Sequence, residues 1–388
     1  MAILLLVYAL VFCIVWIVMY AYMMYAAKRL PRFHRFVVPA PHDWPRLSII
    51  IPACNEAEHI EAAVHTLRLQ DYPNLEIILV NDRSVDNTGE IVDRLAAVDP
   101  RIQVVHIKTL PPDWLGKVHA LHQGVQKASG DWLLFSDADI HYAPGLLRKA
   151  LAYVQQEKVD HLALLPNVIL NSFWLSVAIS TFGLVFLLTT RSTEINKPNS
   201  KHPMGIGAFN LVRREAFART PGFEWLRLEV VDDFGLGVML KNAGAQSRFA
   251  MAEQDLSLTW YPTVRAMFRG LEKNLFGPGA GYHWWKVIVQ VLLLWALLAA
   301  PVVALCANQA WLNVIGLLVV LMYLLFSVLF VRERQSETLH LLMFPVGLFM
   351  LSLMMLWAAF QCLKNNGIDW RGTHYPLKEL RAGQRVKF

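Results

Sequence analysis

Ser136-Asp137-Ala138-Asp139 places two carboxylates one residue apart, directly after the apolar run Trp132–Phe135. That spacing suits a hard divalent cation, Mg2+ or Mn2+, held through oxygen ligands with a diphosphate completing the shell. Such a cation neutralises the charge on a departing nucleotide diphosphate, which is Lewis-acid assistance to a leaving group. Two more acidic stretches lie upstream, Pro52-Ala53-Cys54-Asn55-Glu56 and Val80-Asn81-Asp82-Arg83-Ser84, each closing an apolar run. A lone Asp-x-Asp arises often by chance. Acids at the ends of three successive strand-like runs do not, and the carboxyl ends of strands are where open α/β sheets bind ligands.

Each station has a plainer reading beside the chemical one. Pro52 ends the first ladder, and Glu56 beyond it can accept hydrogen bonds from a ribose or base; otherwise it is an acid offsetting a helix macrodipole. Asp82 can accept the N–H of a uracil ring, or simply form a turn. Gly116-Lys117 opens a helix, where Lys117 can offset phosphate charge; otherwise it is a solvated lysine. His119 and His122 lie one helical turn apart with no acidic third ligand, which favours packing or surface roles over metal binding. Later, Glu229-Val230-Val231-Asp232-Asp233 supplies adjacent acids in an acid-poor region. One of that pair could remove a proton from an acceptor hydroxyl, its pKa raised by its neighbour. The alternative is a cap for the helix expected over Phe234–Asn242.

The elements that must position these residues are legible in the hydrophobic pattern. Leu47–Ile51, Leu75–Asn81, Ile102–Ile107 and Trp132–Phe135 read as buried strands. Glu58–Gln70, Thr88–Val98, Lys117–Ala128 and Gly145–Glu157 carry apolar residues at helical spacing. Alternation of this kind implies an α/β domain with a mostly parallel sheet, covered on both faces and joined by right-handed crossovers. The apolar stretch Trp174–Thr190 is read as a buried or interfacial helix, because a span there would separate Asp232 and Asp233 from Asp139.

Composition adds a membrane. The hydrophobic fraction is 55% and the charged fraction 17%, with a mean hydropathy of +0.38. Residues Ala2–Ala26 carry no charge and exceed the roughly 20 residues a spanning helix needs. Lys28, Arg29, Arg32 and Arg35 follow, which places that side in the cytoplasm. A cleaved signal peptide would carry its positive charges before the apolar core. Val287–Ala307, Trp311–Val331 and Leu339–Leu363 also have spanning length, with Arg332, Glu333 and Arg334 between the last two as a cytoplasmic loop. Counting crossings from a cytoplasmic catalytic domain puts the tail after Lys364 on the far side. The tail's Lys364, Arg371, Lys378, Arg381, Arg385 and Lys387 object to this, so either one run is re-entrant, with Leu339–Leu363 the suspect, or the tail is an exception. The net charge of +6 is concentrated beside these runs and matches anionic lipid headgroups rather than nucleic acid. Cys13, Cys54, Cys306 and Cys362 show no paired spacing, so neither a disulfide framework nor a zinc site is expected.

Taken together, Pro52…Asn55-Glu56, Asn81-Asp82-x-Ser84-x-Asp86-x-Thr88, Gly116-Lys117, Asp137-x-Asp139 and Asp232-Asp233 resemble family 2 glycosyltransferases of GT-A fold, over Leu47 to roughly Leu275. The membrane layout is similar to that of ceramide glucosyltransferases and of bacterial carotenoid- or hopanoid-type lipid glycosyltransferases. Trp114-x-Gly116-Lys117-x-His119-Ala120, Gly279-Ala280-Gly281 and Asp369-Trp370-Arg371-Gly372-x-x-Tyr375 resemble the carotenoid-type branch in particular. By position, the resemblance implies that Glu56 and Asp82 contact the nucleoside, Lys117 and Asp137 the nucleotide, and Asp139 the metal, with Asp233 as the base. The family's usual Glu-Asp pair is Asp232-Asp233 here, which leaves open which acid is the base. The Gln- or Arg-x-x-Arg-Trp motif of processive and many lipid-specific members has no full counterpart. Its nearest match, Val264–Gly270, points to Arg265, Arg269 or Lys273 for the acceptor, with Trp284 and Trp285 at the headgroup level.

The resulting expectation is an α/β, Rossmann-like GT-A domain over residues 46–286 that includes the 174–190 segment. An anchor over residues 1–27, a helix cluster over 287–363 and a basic tail over 364–388 complete the chain. The expected activity is metal-dependent, inverting transfer of one sugar from a nucleotide-sugar donor, UDP-linked, to a membrane lipid, at a bacterial inner membrane. The alternatives are a polyprenyl-phosphate glycosyltransferase, a processive polysaccharide synthase and a non-enzymatic membrane scaffold.

Overall fold

A computed structural model describes residues 2–39, 41, 43–334 and 339–387. Helix α1 (Ala2–Arg29) precedes β1 (Leu47–Ala53), α2 (Ile60–Arg68), β2 (Leu75–Asp82), α3 (Thr88–Val98), β3 (Ile102–Ile107), α4 (Gly116–Lys127) and β4 (Trp132–Phe135). There follow β5 (His141–Tyr142), α5 (Leu146–Gln156), β6 (His161–Val168), α6 (Phe173–Thr189), β7 (Asn210–Arg213), α7 (Arg214–Ala218), α8 (Asp232–Asn242) and β8 (Ser247–Leu258). The remainder is helical, α9 (Val264–Gly270), α10 (Glu272–Ala280), α11 (Trp284–Leu305), α12 (Ala310–Arg334) and α13 (Phe344–Lys364), until a hairpin of β9 (Gly367–Trp370) and β10 (Thr373–Pro376) and a last helix α14 (Leu377–Gly383).

These elements form two compact units. The α/β unit comprises Pro31–Ile169, Thr190–Trp260 and Asn365–Phe388. Its sheet has the order β3-β2-β1-β4-β7-β6-β8-β5. Strands β3, β2, β1 and β4 are parallel, with Ile49 in register with Ile77 on one side and Leu134 on the other. Ile- and Leu-rich strands buried on both faces are what a helix-covered parallel sheet requires. β7 runs antiparallel to both β4 and β6, so the carboxyl ends of β1, β2 and β4 open on one edge. β1 runs one residue past Pro52, which pairs in register with Val80.

Two buried polar groups fasten this sheet away from that edge. Glu76 on β2 is 3% exposed and accepts hydrogen bonds from Ser48, Ser129, Arg46 and Gln103. His161 on β6 is fully buried between Ser247 Oγ at 3.1 Å and Asn210 Oδ1 at 3.2 Å. Burial pushes its pKa down to about 4. A folded-state pKa below the unfolded value near 6.5 means that the neutral ring stabilises the fold above pH 6.5, and that this contribution, about 3 kcal/mol, is lost as pH falls through that value towards about 4. The apparent melting temperature should therefore drop more steeply across this window in the wild type than in His161→Gln. Parallel curves for the two proteins would contradict the assignment.

The helical unit comprises Met1–Leu30, Leu170–Thr189 and Tyr261–Lys364. Among the described residues, four of its helices are long and apolar enough to cross a membrane: Ile3–Arg29, Trp284–Leu305, Ala310–Val328 and Phe344–Lys364. Their core includes Cys13, Trp16, Tyr20, Ala300, Ala304, Leu312 and Phe326. Small residues let backbones approach, as membrane helix pairs need; a Cβ on Gly316 would lie 3.1 Å from that of Ala304. Trp16 Nε1 donates to Leu297 O at 2.6 Å and Trp295 Nε1 to Ser352 Oγ at 2.9 Å. Meanwhile Ile3, Leu4, Val7, Val18, Leu292 and Val302 stand exposed, an apolar surface too extensive for water. The expected loop residues Arg332, Glu333 and Arg334 close helix α12 instead, and residues 335–338 lie outside the described residues.

Two points of the sequence reading meet the structure here, the non-spanning helix expected over Trp174–Thr190 and the tail whose side the sequence left open. Helix α6 leaves the α/β unit after β6 and returns to it before β7, and β6 pairs directly with β7 and β8; a single helix between strands of one sheet does not cross a bilayer. The tail is likewise part of the α/β unit rather than lying on the far side. Glu229 accepts from the backbone N of Arg385 at 2.6 Å and of Val386 at 2.8 Å, and Leu380 and Val386 are buried. Residues 261–286 belong to the helical unit. All four cysteines are free.

Candidate active site

The first station is built by cross-bracing between two strand ends. After β1 the chain turns through Asn55 at φ 56°, and after β2 through Arg83 at φ 54°. Ser84 Oγ accepts from Asn55 N at 3.0 Å, Thr88 Oγ1 from Glu56 N at 2.8 Å, and Asp86 Oδ2 from Ala57 N at 3.1 Å. Asn55 Oδ1 in turn accepts from Val85 N at 2.8 Å. Ser84, Asp86 and Thr88 thus hold the backbone that presents Glu56. Burial pushes the Glu56 carboxyl up, with Arg371 and His59 opposing and Asp137 adding to the rise.

Asp82 ends β2 and is 3% exposed. Its carboxylate is gripped at both oxygens by Arg83, at 2.7 and 2.9 Å, a pairing the sequence reading did not anticipate. Gly116 opens α4 against it. A Cβ on Gly116 would lie 2.4 Å from Asp82 Oδ2 and 2.5 Å from Arg83 Nη2, so any other residue here would displace that ion pair. His119 and His122 pack on Trp114, with ring centroids 5.4 and 5.1 Å away.

Lys117 joins the remaining acids. Its Nζ lies 2.7 Å from Asp137 Oδ1 and 3.4 Å from Asp232 Oδ2. Burial alone would lower its pKa, but Asp137, Asp232 and Asp233 reverse the sign and raise it, so the amine is cationic. Asp232 and Asp233 begin α8. Asp233 accepts from Gly207 N at 2.8 Å through Oδ2 and from Phe234 N at 2.7 Å through Oδ1. Gly207 O accepts from Asp137 N at 3.0 Å, so the backbone of one residue binds both the Asp233 carboxylate and the main chain of Asp137. A Cβ on Gly207 would lie 2.5 Å from Asp137 Oδ2 and 3.4 Å from Asp233 Oδ2, and one on Gly205 would overlap the Asp233 carbonyl. Gly205-Ile206-Gly207 is the signal in the sequence that would have pointed to this close approach.

Asp139 completes the cluster. Burial, with Asp137 and Glu56 nearby, pushes its carboxyl up to about 6. Among the described residues no three His, Cys, Asp or Glu side chains gather as a complete metal cage. Asp137 and Asp139 do offer hard oxygen donors, and two carboxylates suit a cation whose other positions are filled by diphosphate oxygens and water. In this respect the donor set fits Mg2+ or Mn2+.

Pro52, Glu56, Asp82, Lys117, Asp137, Asp139, Asp232 and Asp233 therefore all belong to the α/β unit. The expected acceptor residues do not: Arg265 and Arg269 are exposed on α9, Lys273 is on α10 and Trp284 starts α11 with 59% exposure. The C-terminal segment enters in a way not expected, with Arg371 donating to Glu56 and Tyr375 OH accepting from Gly116 N at 3.1 Å.

Residues 48–220 match the glycosyl transferase family 2 domain. The 4,4'-diaponeurosporenoate glycosyltransferase of Staphylococcus aureus is 24% identical over 356 residues, which cover 86% of this chain and 89% of that protein. A mannosyltransferase from Pyrobaculum calidifontis, solved in complex with GDP-Man and Mn2+, shares the fold with a TM-score of 0.56 at 19% identity, over 91% of this chain and 99% of its own. The α/β unit carries a family 2 glycosyltransferase domain of GT-A fold, and the chain is a glycosyltransferase joined to membrane-type helices.

Proposed function

We propose that this glycosyltransferase moves a single sugar, with inversion, from a UDP-linked donor to the hydroxyl or carboxylate of a carotenoid-type lipid. The observation that carries the proposal is the position of Lys117, whose Nζ contacts both Asp137 and Asp232. It ties the acids proposed for the donor to those proposed for the acceptor within one charge cluster. The Staphylococcus aureus relative, named for a carotenoid acid, supports the acceptor class.

The donor's nucleoside would rest against Glu56 and Asp82, with Pro52 lining the strand end. Lys117 faces the diphosphate, and Asp137 and Asp139 are the residues that would hold Mg2+ or Mn2+. When bound, the cation lowers the cost of charge on the leaving diphosphate. The acceptor oxygen attacks C1 of the sugar from the face opposite that leaving group. The C1–O bond to the acceptor forms as the bond to phosphate breaks, and its electron pair departs with the diphosphate. Asp233, oriented by Gly207 N and Phe234 N, takes the proton of a hydroxyl acceptor; a carboxylate acceptor arrives without one. Arg265, Arg269, Lys273 and Trp284 are proposed contacts for the lipid's polar end.

The membrane side follows from charge and parity. Lys28 and Arg29 at the end of α1 support a cytoplasmic side for that end of the helix, and the bacterial relative supports a bacterial inner membrane. Trp260 and Asn365 both belong to the α/β unit, so an even number of crossings separates them. Of the three apolar helices between them, α13 is the most buried and is the one proposed to stay on the cytoplasmic side.

Titrating UDP and GDP into the purified protein tests the donor half of this reading. UDP binding that tightens with Mn2+ is expected. Binding of neither nucleotide, with or without Mn2+, would overturn it. Gly207→Ala should leave the fold intact but cut turnover by about tenfold or more, since misplacing reacting groups by ~1 Å can cost ~100-fold. Unchanged turnover in that variant would show that the Asp137–Asp233 spacing is not critical.

A further inference from the structure

The hairpin of β9 and β10 is fastened to the donor edge at three points. Arg371, at its tip, donates through Nη2 to Glu56 Oε1 and approaches Asn55 O through Nη1 at 3.4 Å. Thr373 Oγ1 accepts from Arg83 Nη1 at 3.0 Å, while the same guanidinium grips Asp82. Tyr375 OH accepts from Gly116 N at the start of α4. Behind the hairpin, a Cβ on Gly383 would collide with Leu228, and Glu229 holds the backbone of Arg385 and Val386. The tail therefore runs from the end of β1 to the stretch that leads into Asp232.

The backbone at the tip is costly. Arg371 has φ 50° and Gly372 φ 77°, the two left-handed positions of a tight hairpin turn for which Asn-Gly or Asp-Gly is favoured. A long side chain at the first position is disfavoured, and nothing in the turn itself calls for arginine. Its guanidinium reaches Asn55 and Glu56, and Asn55 and Arg83 are themselves in the left-handed region. Strained residues gathered at one edge, and touching the same groups, are the mark of a functional site rather than of a chain end. Arg371 keeps 45% of its side chain exposed while Glu56 keeps 18%, so a ligand could reach both.

We infer that Arg371 is a positioning residue of the donor site: it fixes the Glu56 carboxylate for the hydroxyls of a nucleoside diphosphate sugar, and the hairpin carrying it closes the nucleoside end. The inference rests on the donor reading above. It assigns the C-terminal tail to nucleotide binding rather than to anchoring alone. The bidentate fork of arginine suits this task, and lysine replaces it incompletely.

Steady-state kinetics and UDP titration on the full-length protein test the inference. Arg371→Ala should raise KM for the UDP-sugar about tenfold and weaken UDP binding equally, with kcat within about twofold, the loss expected for one hydrogen bond to a charged group. Glu56→Gln should do the same, and the double variant should lose no more than the worse single one, because the two act as a unit. Arg371→Lys should recover part of the affinity. A tail that merely anchors predicts a lower melting temperature in Arg371→Ala with KM unchanged, and that result would overturn the inference while wild-type UDP binding upheld the donor reading. Independent, multiplying losses in the double variant would overturn it too. A wild type that binds neither UDP nor GDP overturns the donor reading, and the inference falls with it.

Discussion

Asp139→Asn should yield a folded, membrane-inserted protein whose transfer rate is lower by about 10³-fold or more, the several kcal/mol that a cation supplies to a leaving group. Asp139 sits in a crowd of acids, and burial with Asp137 and Glu56 holds its carboxyl up to about 6. An amide of the same shape removes a repulsive charge from that crowd. The melting temperature should accordingly hold or rise while activity is lost. That divergence separates a functional acid from a structural one, because replacing a structural acid lowers both. EDTA should silence the wild type, and Mg2+ or Mn2+ should restore it without restoring the variant. Full activity in Asp139→Asn, or in wild type under EDTA, would remove the metal from the account.

The second large effect is at Asp233. Both of its oxygens accept a backbone N–H, from Gly207 and Phe234. An asparagine must turn its NH2 towards one of those donors, so some loss of stability is expected alongside the chemical loss. On a hydroxyl acceptor, Asp233→Asn should lower kcat by about 10²- to 10⁴-fold, the range for a general base, with KM for the donor little changed. Asp232→Asn loses the 3.4 Å contact with Lys117 and should cost less. On a carboxylate acceptor, which brings no proton to remove, the Asp233→Asn loss should shrink to about tenfold or less. The pair of acceptors therefore reads out the role as well as the residue. An inactive Asp232→Asn beside an active Asp233→Asn would reverse the assignment.

Much of the sheet was legible because its chemistry is local. Leu47–Ile51 and Leu75–Asn81 are unbroken apolar runs that only a covered parallel sheet accommodates, and they become β1 and β2 with small shifts at their ends. The acids at those ends follow from the strands and from the turns after them. What was not legible depends on partners distant in sequence. Arg83 masks Asp82, and no spacing rule distinguishes that neighbour from a solvated arginine. Ser84, Asp86 and Thr88 were legible as a motif, but their use in bracing residues 55–57 requires the pairing of β1 with β2. Gly207 contributes a backbone N–H; the glycine pair at 205 and 207 marks a close approach but not the donor it supplies. The side of the tail stayed open in the sequence because hydropathy measures the length of a helix such as α13 and not whether it crosses. The basic residues of the tail had already signalled the conflict, and Arg371 resolves it by meeting Glu56 in the α/β unit.

Mass spectrometry of the lipid fraction after incubation of the purified protein with a UDP-sugar and a total lipid extract tests the central claim most directly. The account predicts a new organic-phase product heavier than its acceptor by one sugar, formed with wild type and absent with Asp139→Asn, and with the anomeric centre inverted relative to the donor. Sugar recovered only in water-soluble products, a ladder of repeated additions, or a retained anomeric configuration would contradict it.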